Sequence, residues 1–262
     1  MKLAYQNPIP VAAHRGNAAY FPENTMASFR SAAELNMIET DVHMTRDGEL
    51  ILMHDHTVDR TTNGTGLIRE KTLAEMRALD AGSWKDETFK GEKVPTFREF
   101  LEYFRAYPDM LFNIELKDYP ADSGDFAYES AKKTIAMMDE YGITERSVVN
   151  TWSGELNEWL DATYEKRVRV HGYSPQERMG ERQKRFVYDY AYCVCLFGVH
   201  EKPVVSEKFF ALAKTYGVEP WVYFKQDTPE LVDEALAAGA MLFTSNDPAW
   251  LMNYLKTKNL HR

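Results

Sequence analysis

Short apolar runs of strand type alternate with amphipathic helical stretches along this chain, and that alternation constrains its fold more than any other feature. Parallel strands need a long crossover between them, usually a helix, so strand–helix–strand repetition points to a parallel sheet covered by helices. Eight runs read as strands: Val11–His14, Ile38–His43, Leu111–Leu116, Ser147–Thr151, Val168–Gly172, Ala191–Leu196, Pro220–Phe224 and Met241–Thr244. Helical stretches follow most of them, at Thr25–Leu35, Phe97–Tyr107, Tyr128–Tyr141, Glu155–Ala162, Glu207–Tyr216, Pro229–Ala238 and Ala249–Leu255. The stretch after Val168–Gly172 is poorly patterned. Eight strand–helix units in 262 residues predict a (β/α)8 TIM barrel, which typically takes about 250 residues. An open doubly wound sheet fits less well, because no dinucleotide-type glycine fingerprint follows the first strand.

Residues 45–95 break the rhythm. Arg46-Asp47-Gly48-Glu49 reads as a tight turn and Leu50–Met53 as an extended return, so Val42–His54 is expected to be a hairpin-like extension of the second strand. Arg60–Gly66 reads as loop and Leu73–Leu79 as a short helix. The expected organisation is one barrel domain over residues 1–262, with 45–95 a small insertion over one barrel end.

Composition narrows the partners. With 31 Lys+Arg against 40 Asp+Glu the net charge is −9, which argues against broad nucleic-acid binding but leaves room for one basic pocket. The two cysteines, Cys193 and Cys195, sit two apart in an apolar run and read as small core residues. The first residues lack a hydrophobic signal region, and the longest apolar run, around Ala191–Val199, is too short to span a bilayer. The expectation is a cytoplasmic protein without stable membrane insertion. Nothing in the sequence indicates an oligomeric state.

In a (β/α)8 barrel the chemistry sits where strands end. The first strand ends in His14-Arg15-Gly16, the second carries Glu39, Asp41 and His43, its extension ends in His54-Asp55, and the third carries Glu115 and Lys117. Glu39 and Asp41, two apart, share one strand face. With Glu115 beside them they form a like-charged cluster that a hard divalent cation would relieve, Mg²⁺ or Ca²⁺, with Mn²⁺ also compatible. The bland reading pairs the acids with Arg15 and Lys117, or leaves them solvated. Two histidines suit proton transfer near neutral pH, and an arginine can bind two phosphate oxygens. Together these groups suit cleavage of a phosphodiester better than hydride or acyl transfer.

The same residues resemble the glycerophosphodiester phosphodiesterase family. The resemblance rests on His14-Arg15-Gly16, Pro22-Glu23-Asn24-Thr25, Glu39-Thr40-Asp41-Val42, Thr45-Arg46-Asp47-Gly48, His54-Asp55, Arg60-Thr61-Thr62 with Gly64 and Gly66, and Glu115-Leu116-Lys117. It is dense in the N-terminal half and looser beyond, through Trp221 and Thr244-Ser245-Asn246-Asp247-Pro248. It implies a TIM barrel with an insertion after the second strand, acting on a small-molecule glycerophosphodiester to give glycerol 3-phosphate and an alcohol, with a place in lipid and glycerol metabolism. Carried over by position, His14 and His54 are the general acid–base pair. Glu39, Asp41 and Glu115 hold one divalent cation, Arg15 and Lys117 contact phosphate, and Asn24 supports the site.

Two departures stand out. The segment Glu34–Glu39 is shorter than the family pattern, with a local effect expected at the barrel's N-terminal end. Trp221-Val222-Tyr223-Phe224 is bulkier than usual, which bears on head-group preference. Trp221 is expected to wall the substrate site, while Tyr223 reads equally as wall or filler. Trp152, His171 and His200 lie near strand ends and any could line the site, but each alone reads more readily as a packing or solvated residue. His43 could back the site or be structural. Charges in Ser174–Arg185 balance at helical spacing and read as a solvated helix face, with a basic loop for an anionic head group as the sharper alternative. Other functions compatible with these residues are a phosphodiesterase on lysophospholipids or other diesters, and a non-catalytic phosphodiester-binding protein.

Overall fold

The computed structural model describes residues 2–196 and 207–261. Among the described residues nine strands form one sheet. They are β1 (Val11–Ala13), β2 (Met37–Met44), β3 (Leu50–Leu52), β4 (Leu111–Leu116), β5 (Ser147–Asn150), β6 (Arg169–Ser174), β7 (Cys193–Leu196), β8 (Glu219–Tyr223) and β9 (Leu242–Ser245). Eight are parallel, in the order β1-β9-β8-β7-β6-β5-β4-β2, and β1 also pairs with β2, which closes a TIM barrel. β3 runs antiparallel to the end of β2, with His43 opposite Ile51, so the hairpin-like extension forms as the turn at 45–49 suggests.

The helices are α1 (Met26–Ser31), α2 (Leu73–Ala78), α3 (Phe97–Phe104), α4 (Pro120–Ser123), α5 (Asp125–Glu140), α6 (Gly154–Tyr164), α7 (Glu207–Tyr216), α8 (Pro229–Ala238) and α9 (Pro248–Thr257). Their starts follow from the sequence. Thr72 and Thr96 make capping boxes with Glu75 and Glu99, and Thr25, Ser153, Thr228 and Asp247 accept hydrogen bonds from the first turns of their helices. On α3 the positions Phe97, Phe100, Leu101 and Phe104 make one buried stripe against the outside of the barrel, where Phe100 and Phe104 meet Phe112 of β4 edge-on. Each such ring contributes about 1.5–3 kcal/mol by burial. No α-helix follows β6 among the described residues. Two short 3₁₀ turns, Gln176–Met179 and Val187–Asp189, occupy that interval instead of the helix that charge spacing suggested.

The barrel interior is layered. Its lower layer is apolar: Ala12, Met37, Leu111, Val148, Cys193, Trp221 and Leu242, with Leu3 packed on them. Below it Glu219 accepts hydrogen bonds from Tyr5 Oη (2.6 Å), Tyr192 Oη (2.9 Å) and Trp221 Nε1 (3.3 Å). Residues 45–95 have their own small core of Ile51, Met53, Val58, Ile68, Met76, Ala81 and Val94. They are tied to the loop after β1 by Lys85 Nζ, which donates to the carbonyls of Ala18 and Ala19. Among the described residues no helix is long and apolar enough to cross a membrane.

Candidate active site

The loop after β1 is shaped by two left-handed residues, Arg15 (φ 55°) and Gly16 (φ 81°). A Cβ on Gly16 would lie 2.4 Å from Ser28 Oγ and 2.8 Å from the Ser28 carbonyl carbon, so only glycine fits. The non-glycine left-handed backbone at Arg15 is strained, and neighbours hold it. Its amide donates to Glu39 Oε2 at 2.8 Å, and its carbonyl accepts from Ser28 Oγ and the Asn24 amide. The Arg15 guanidinium then reaches Glu23 Oε1 (2.8 Å) and Asp41 Oδ2 (3.3 Å).

Glu39, Asp41 and Glu115 converge as expected. Asp41 on β2 is in register with Glu115 on β4, and one oxygen from each acid lies within 4.8 Å of the others. All three are buried. Burial, Asp41 and Glu115 push the Glu39 carboxyl well above the usual carboxylate range. Burial also works against the Asp41 carboxylate, but Lys117, Arg15 and His54 outweigh it and hold that group below its usual range. Asn24 donates to Asp41 Oδ2 (2.8 Å) and accepts from Thr40 Oγ1 (2.9 Å), which fixes the Asp41 side chain. Lys117 Nζ lies 2.6 Å from Glu115 Oε1 and 3.6 Å from Asp41 Oδ1. It is buried between the acids and does not line the cavity above them.

These residues fit a metal ion. Glu39 Oε1 and Asp41 Oδ1 are buried with no hydrogen-bond donor. Anionic oxygens without donors, grouped on rigid strands, are the donor set of a hard cation such as Mg²⁺, Ca²⁺ or Mn²⁺.

The two histidines flank a cavity of about 110 Å³ whose lining includes His14, Arg15, Glu39, His54 and Glu115. His14 Nδ1 is 2.6 Å from Asn246 Oδ1, and its Nε2 is 3.9 Å from Glu39 Oε2. Burial, then the neighbouring Arg15 charge, lowers the His14 pKa to about 3. The Asn246 amide nitrogen donates to Lys225 O (3.0 Å) and Tyr223 Oη (3.3 Å), which turns Oδ1 toward the imidazole. His14 Nδ1 therefore carries its proton toward Asn246, and Nε2 is left as an acceptor. His54 is held differently, with Nδ1 2.6 Å from Asp55 Oδ1. Arg60 grips Asp55 through Nε (2.6 Å) and Nη2 (3.0 Å) and grips Glu23 through Nη1 (3.0 Å) and Nη2 (2.8 Å). A chain of charge-assisted bonds thus runs from His54 through Asp55, Arg60 and Glu23 to Arg15, linking residues 45–95 to the β1 loop.

Trp221 does not wall this cavity. It is fully buried in the apolar layer below, because the strand position that faces inward there lies deeper than the cavity floor. Tyr223, two residues on, is the aromatic that lines the site, its ring 4.7 Å from that of His14. The charges of Ser174–Arg185 do not form a helix face: Arg182 and Arg185 pair with Glu155 and Asp161 of α6. His43 is structural here, with Nδ1 2.9 Å from Asp118 Oδ1 and its ring against His56. His200 lies outside the described residues.

Trp152 and His171, read from the sequence as able to line the site but more readily as packing, do line it; Asn113, Asn150, Tyr173, Cys195 and Thr244 line it as well and were given no site role from the sequence. Asn113 is two residues before Glu115 and shares its strand face, which is the one signal that could have found it. Asn246, the partner of His14, lies within the Thr244–Pro248 motif, but that motif alone gave it no role.

Comparison with known proteins places this geometry. The profile of the glycerophosphoryl diester phosphodiesterase family matches residues 14–250. A glycerophosphodiester phosphodiesterase of Caldanaerobacter subterraneus subsp. tengcongensis is 43% identical over 146 residues, 55% of this chain and 58% of that protein. One from Bacillus subtilis is 42% identical over 123 residues, 43% of this chain and 42% of that protein. The chain thus spans about half the length of the curated relatives it matches. A crystal structure of glycerophosphodiester phosphodiesterase from Agrobacterium tumefaciens superposes with a TM-score of 0.72 at 25% identity, over 92% of this chain and 97% of that one. An Oleispira antarctica phosphodiesterase, solved in complex with the product sn-glycerol-3-phosphate, shares the fold with a TM-score of 0.79 at 22% identity, over 95% of this chain and 97% of that one. The chain belongs to the glycerophosphoryl diester phosphodiesterase family.

Proposed function

We propose that this protein hydrolyses glycerophosphodiesters to glycerol 3-phosphate and an alcohol. The observation that carries this reading is the meeting, at one cavity, of two differently held histidines, an arginine, and Glu39 and Glu115 of the cluster of three buried acids. The product bound by the Oleispira antarctica relative is in keeping with it. Residues 1–262 are read as one barrel domain, and residues 45–95 as the insertion that brings His54 to the barrel mouth.

The hydrogen bonds suggest a division of labour. His14, with Nε2 free to accept, takes the proton from the attacking oxygen, whether that is water or a glycerol hydroxyl. His54, oriented through Nδ1 by Asp55, gives a proton to the leaving alkoxide as the phosphorus–oxygen bond breaks. Arg15 faces the cavity and holds phosphate oxygens, and Lys117 balances the acids from behind. A divalent cation held by Glu39, Asp41 and Glu115 would add positive charge beside the phosphoryl oxygens.

The test is turnover of glycerophosphocholine, glycerophosphoethanolamine and a lysophospholipid with Mg²⁺, Ca²⁺ and Mn²⁺ in turn. Cleavage of the glycerol diesters is expected, lost on chelation and lost in His14→Ala and His54→Ala. Full activity in either variant, or after exhaustive chelation, would overturn the corresponding role.

A further inference from the structure

The cavity has a floor that none of these roles uses. His171 and Asn150 are both nearly fully buried, both line the cavity, and each has a polar atom without a partner, His171 Nε2 and Asn150 Oδ1. They are in register on neighbouring strands. His171 Nδ1 is engaged, 3.3 Å from Asn150 Nδ2 and 3.2 Å from Asn113 Oδ1. Its ring packs 4.9 Å from Trp221, so it lies directly on the apolar layer that closes the barrel below. Buried polar atoms left without partners are costly, and their place on a cavity lining calls for a ligand group.

The chemistry of that group can be narrowed. Burial lowers the His171 pKa to about 3, so the ring is neutral, as are the side chains around it, Asn113, Asn150, Cys195 and Thr244. A neutral floor beside the acids, with Asn150 in register with Glu115 and Asn113 with Glu39, offers nothing to an anion. A hydroxyl suits both histidine tautomers. With the proton on Nδ1, bonded to Asn113, the hydroxyl donates to Nε2; with the proton on Nε2, it accepts there and donates to Asn150 Oδ1. The walls above are aromatic, with Trp152 stacked on Tyr173 at 4.2 Å and Tyr223 beside His14. Flat apolar walls over a polar floor suit the C–H faces and hydroxyl end of a polyol.

We propose that His171 and Asn150 form a subsite that receives the hydroxyl farthest from phosphorus on the substrate's glycerol unit, and so select for a polyol over a shorter or deoxygenated alcohol. This rests on the functional reading above, since the phosphoryl group must sit at the level of Arg15 for the far hydroxyl to reach the floor.

Calorimetric titration of the full chain in Mg²⁺ tests it with two probes. Glycerol 3-phosphate carries the far hydroxyl, and 2-hydroxypropyl phosphate lacks only that group. Wild type should bind the first about 5- to 150-fold more tightly, the range expected for filling a buried unsatisfied site. His171→Leu should bring the ratio close to one, and His171→Gln, which keeps a polar end, should restore part of it. A wild type that does not distinguish the probes overturns the subsite without any variant, as does a folded His171→Leu that keeps the full ratio. Failure of the functional reading looks different: glycerophosphodiesters are not turned over, while the binding ratio and its loss in His171→Leu persist.

Discussion

Replacing Glu39 by glutamine should raise stability in the absence of a divalent cation and reduce the stabilisation that an added cation brings. The Glu39 carboxylate is buried beside Asp41 and Glu115, accepts from the Arg15 amide, and leaves Oε1 without a donor. Without a cation, the amide replaces a carboxyl that burial, Asp41 and Glu115 make costly to ionise, and it can still accept from Arg15. The gain should be about 0.5–2 kcal/mol, the usual return from relieving strain at a functional site. A cation at a hundred times its dissociation constant stabilises wild type by about 2.7 kcal/mol. In a chain of this size each kcal/mol moves Tm by about 2–4 °C, so the shift is about 5–11 °C. Glutamine keeps an oxygen but loses a charge. An affinity ten times weaker, about 1.4 kcal/mol, would roughly halve the shift. The assay is thermal unfolding of both proteins in EDTA and then in Mg²⁺, Ca²⁺ or Mn²⁺ at matched ionic strength. The variant's lead in EDTA should shrink by about 1.3 kcal/mol as cation is added, and the two stability curves cross if that lead is smaller than this. Equal cation-induced shifts in both proteins would refute the reasoning, and so would a glutamine variant less stable than wild type in EDTA.

Other predictions follow from single contacts. Asp55→Asn should lower kcat by about 10- to 100-fold, less than at a fully buried triad because Asp55 is 28% exposed; single-turnover kinetics showing no loss would remove its positioning role. Glu219→Leu leaves the hydroxyls of Tyr5 and Tyr192 and the indole of Trp221 without their acceptor and should cost about 3 kcal/mol in urea unfolding, with a loss under about 1 kcal/mol counting against the reading. Burial, opposed by a Ser245 hydrogen bond and aided by Asp247, pushes the Asp227 carboxyl up to about 6. The folded form therefore holds that proton more tightly than the unfolded chain, and the stability it contributes is full below about pH 4 and lost as pH rises through 6. Asp227→Asn should thus stabilise at pH 8, by at most about 3 kcal/mol, and not at pH 4; a difference that stays constant between those pH values would contradict it.

The parts legible in the sequence were those set by local pattern. Val11–Ala13, Leu111–Leu116 and the other barrel strands stand out because a strand buried on both faces must be apolar throughout, and polar intrusions into such runs, Glu39, Asp41 and Glu115, mark the site. Depth within the barrel was not legible. Alternation says that Trp221 and Tyr223 face the same way, but which layer each occupies depends on the stagger between neighbouring strands, a property of the closed sheet. The same stagger brings Asn150 and His171 to one floor, and no local spacing encodes it. The stretch after β6 misled for another reason. Its charges fall at helical intervals, yet their partners are Glu155 and Asp161 on the neighbouring α6, so the spacing answers to tertiary pairing and the backbone stops at a 3₁₀ turn.

The apolar layer around Trp221 has a kinetic consequence. With the barrel stoppered below by that layer and by the tyrosines bonded to Glu219, the described residues leave one door to the cavity, at the strand ends. Under the proposed reaction a diester must enter glycerol end first, and its alcohol, last in, must be first out. Such a one-way stack leaves glycerol 3-phosphate as the final occupant, so it should compete directly with substrate. The alcohol stays near the threshold, where its bulk is limited by solvent-facing loops and not by the barrel wall.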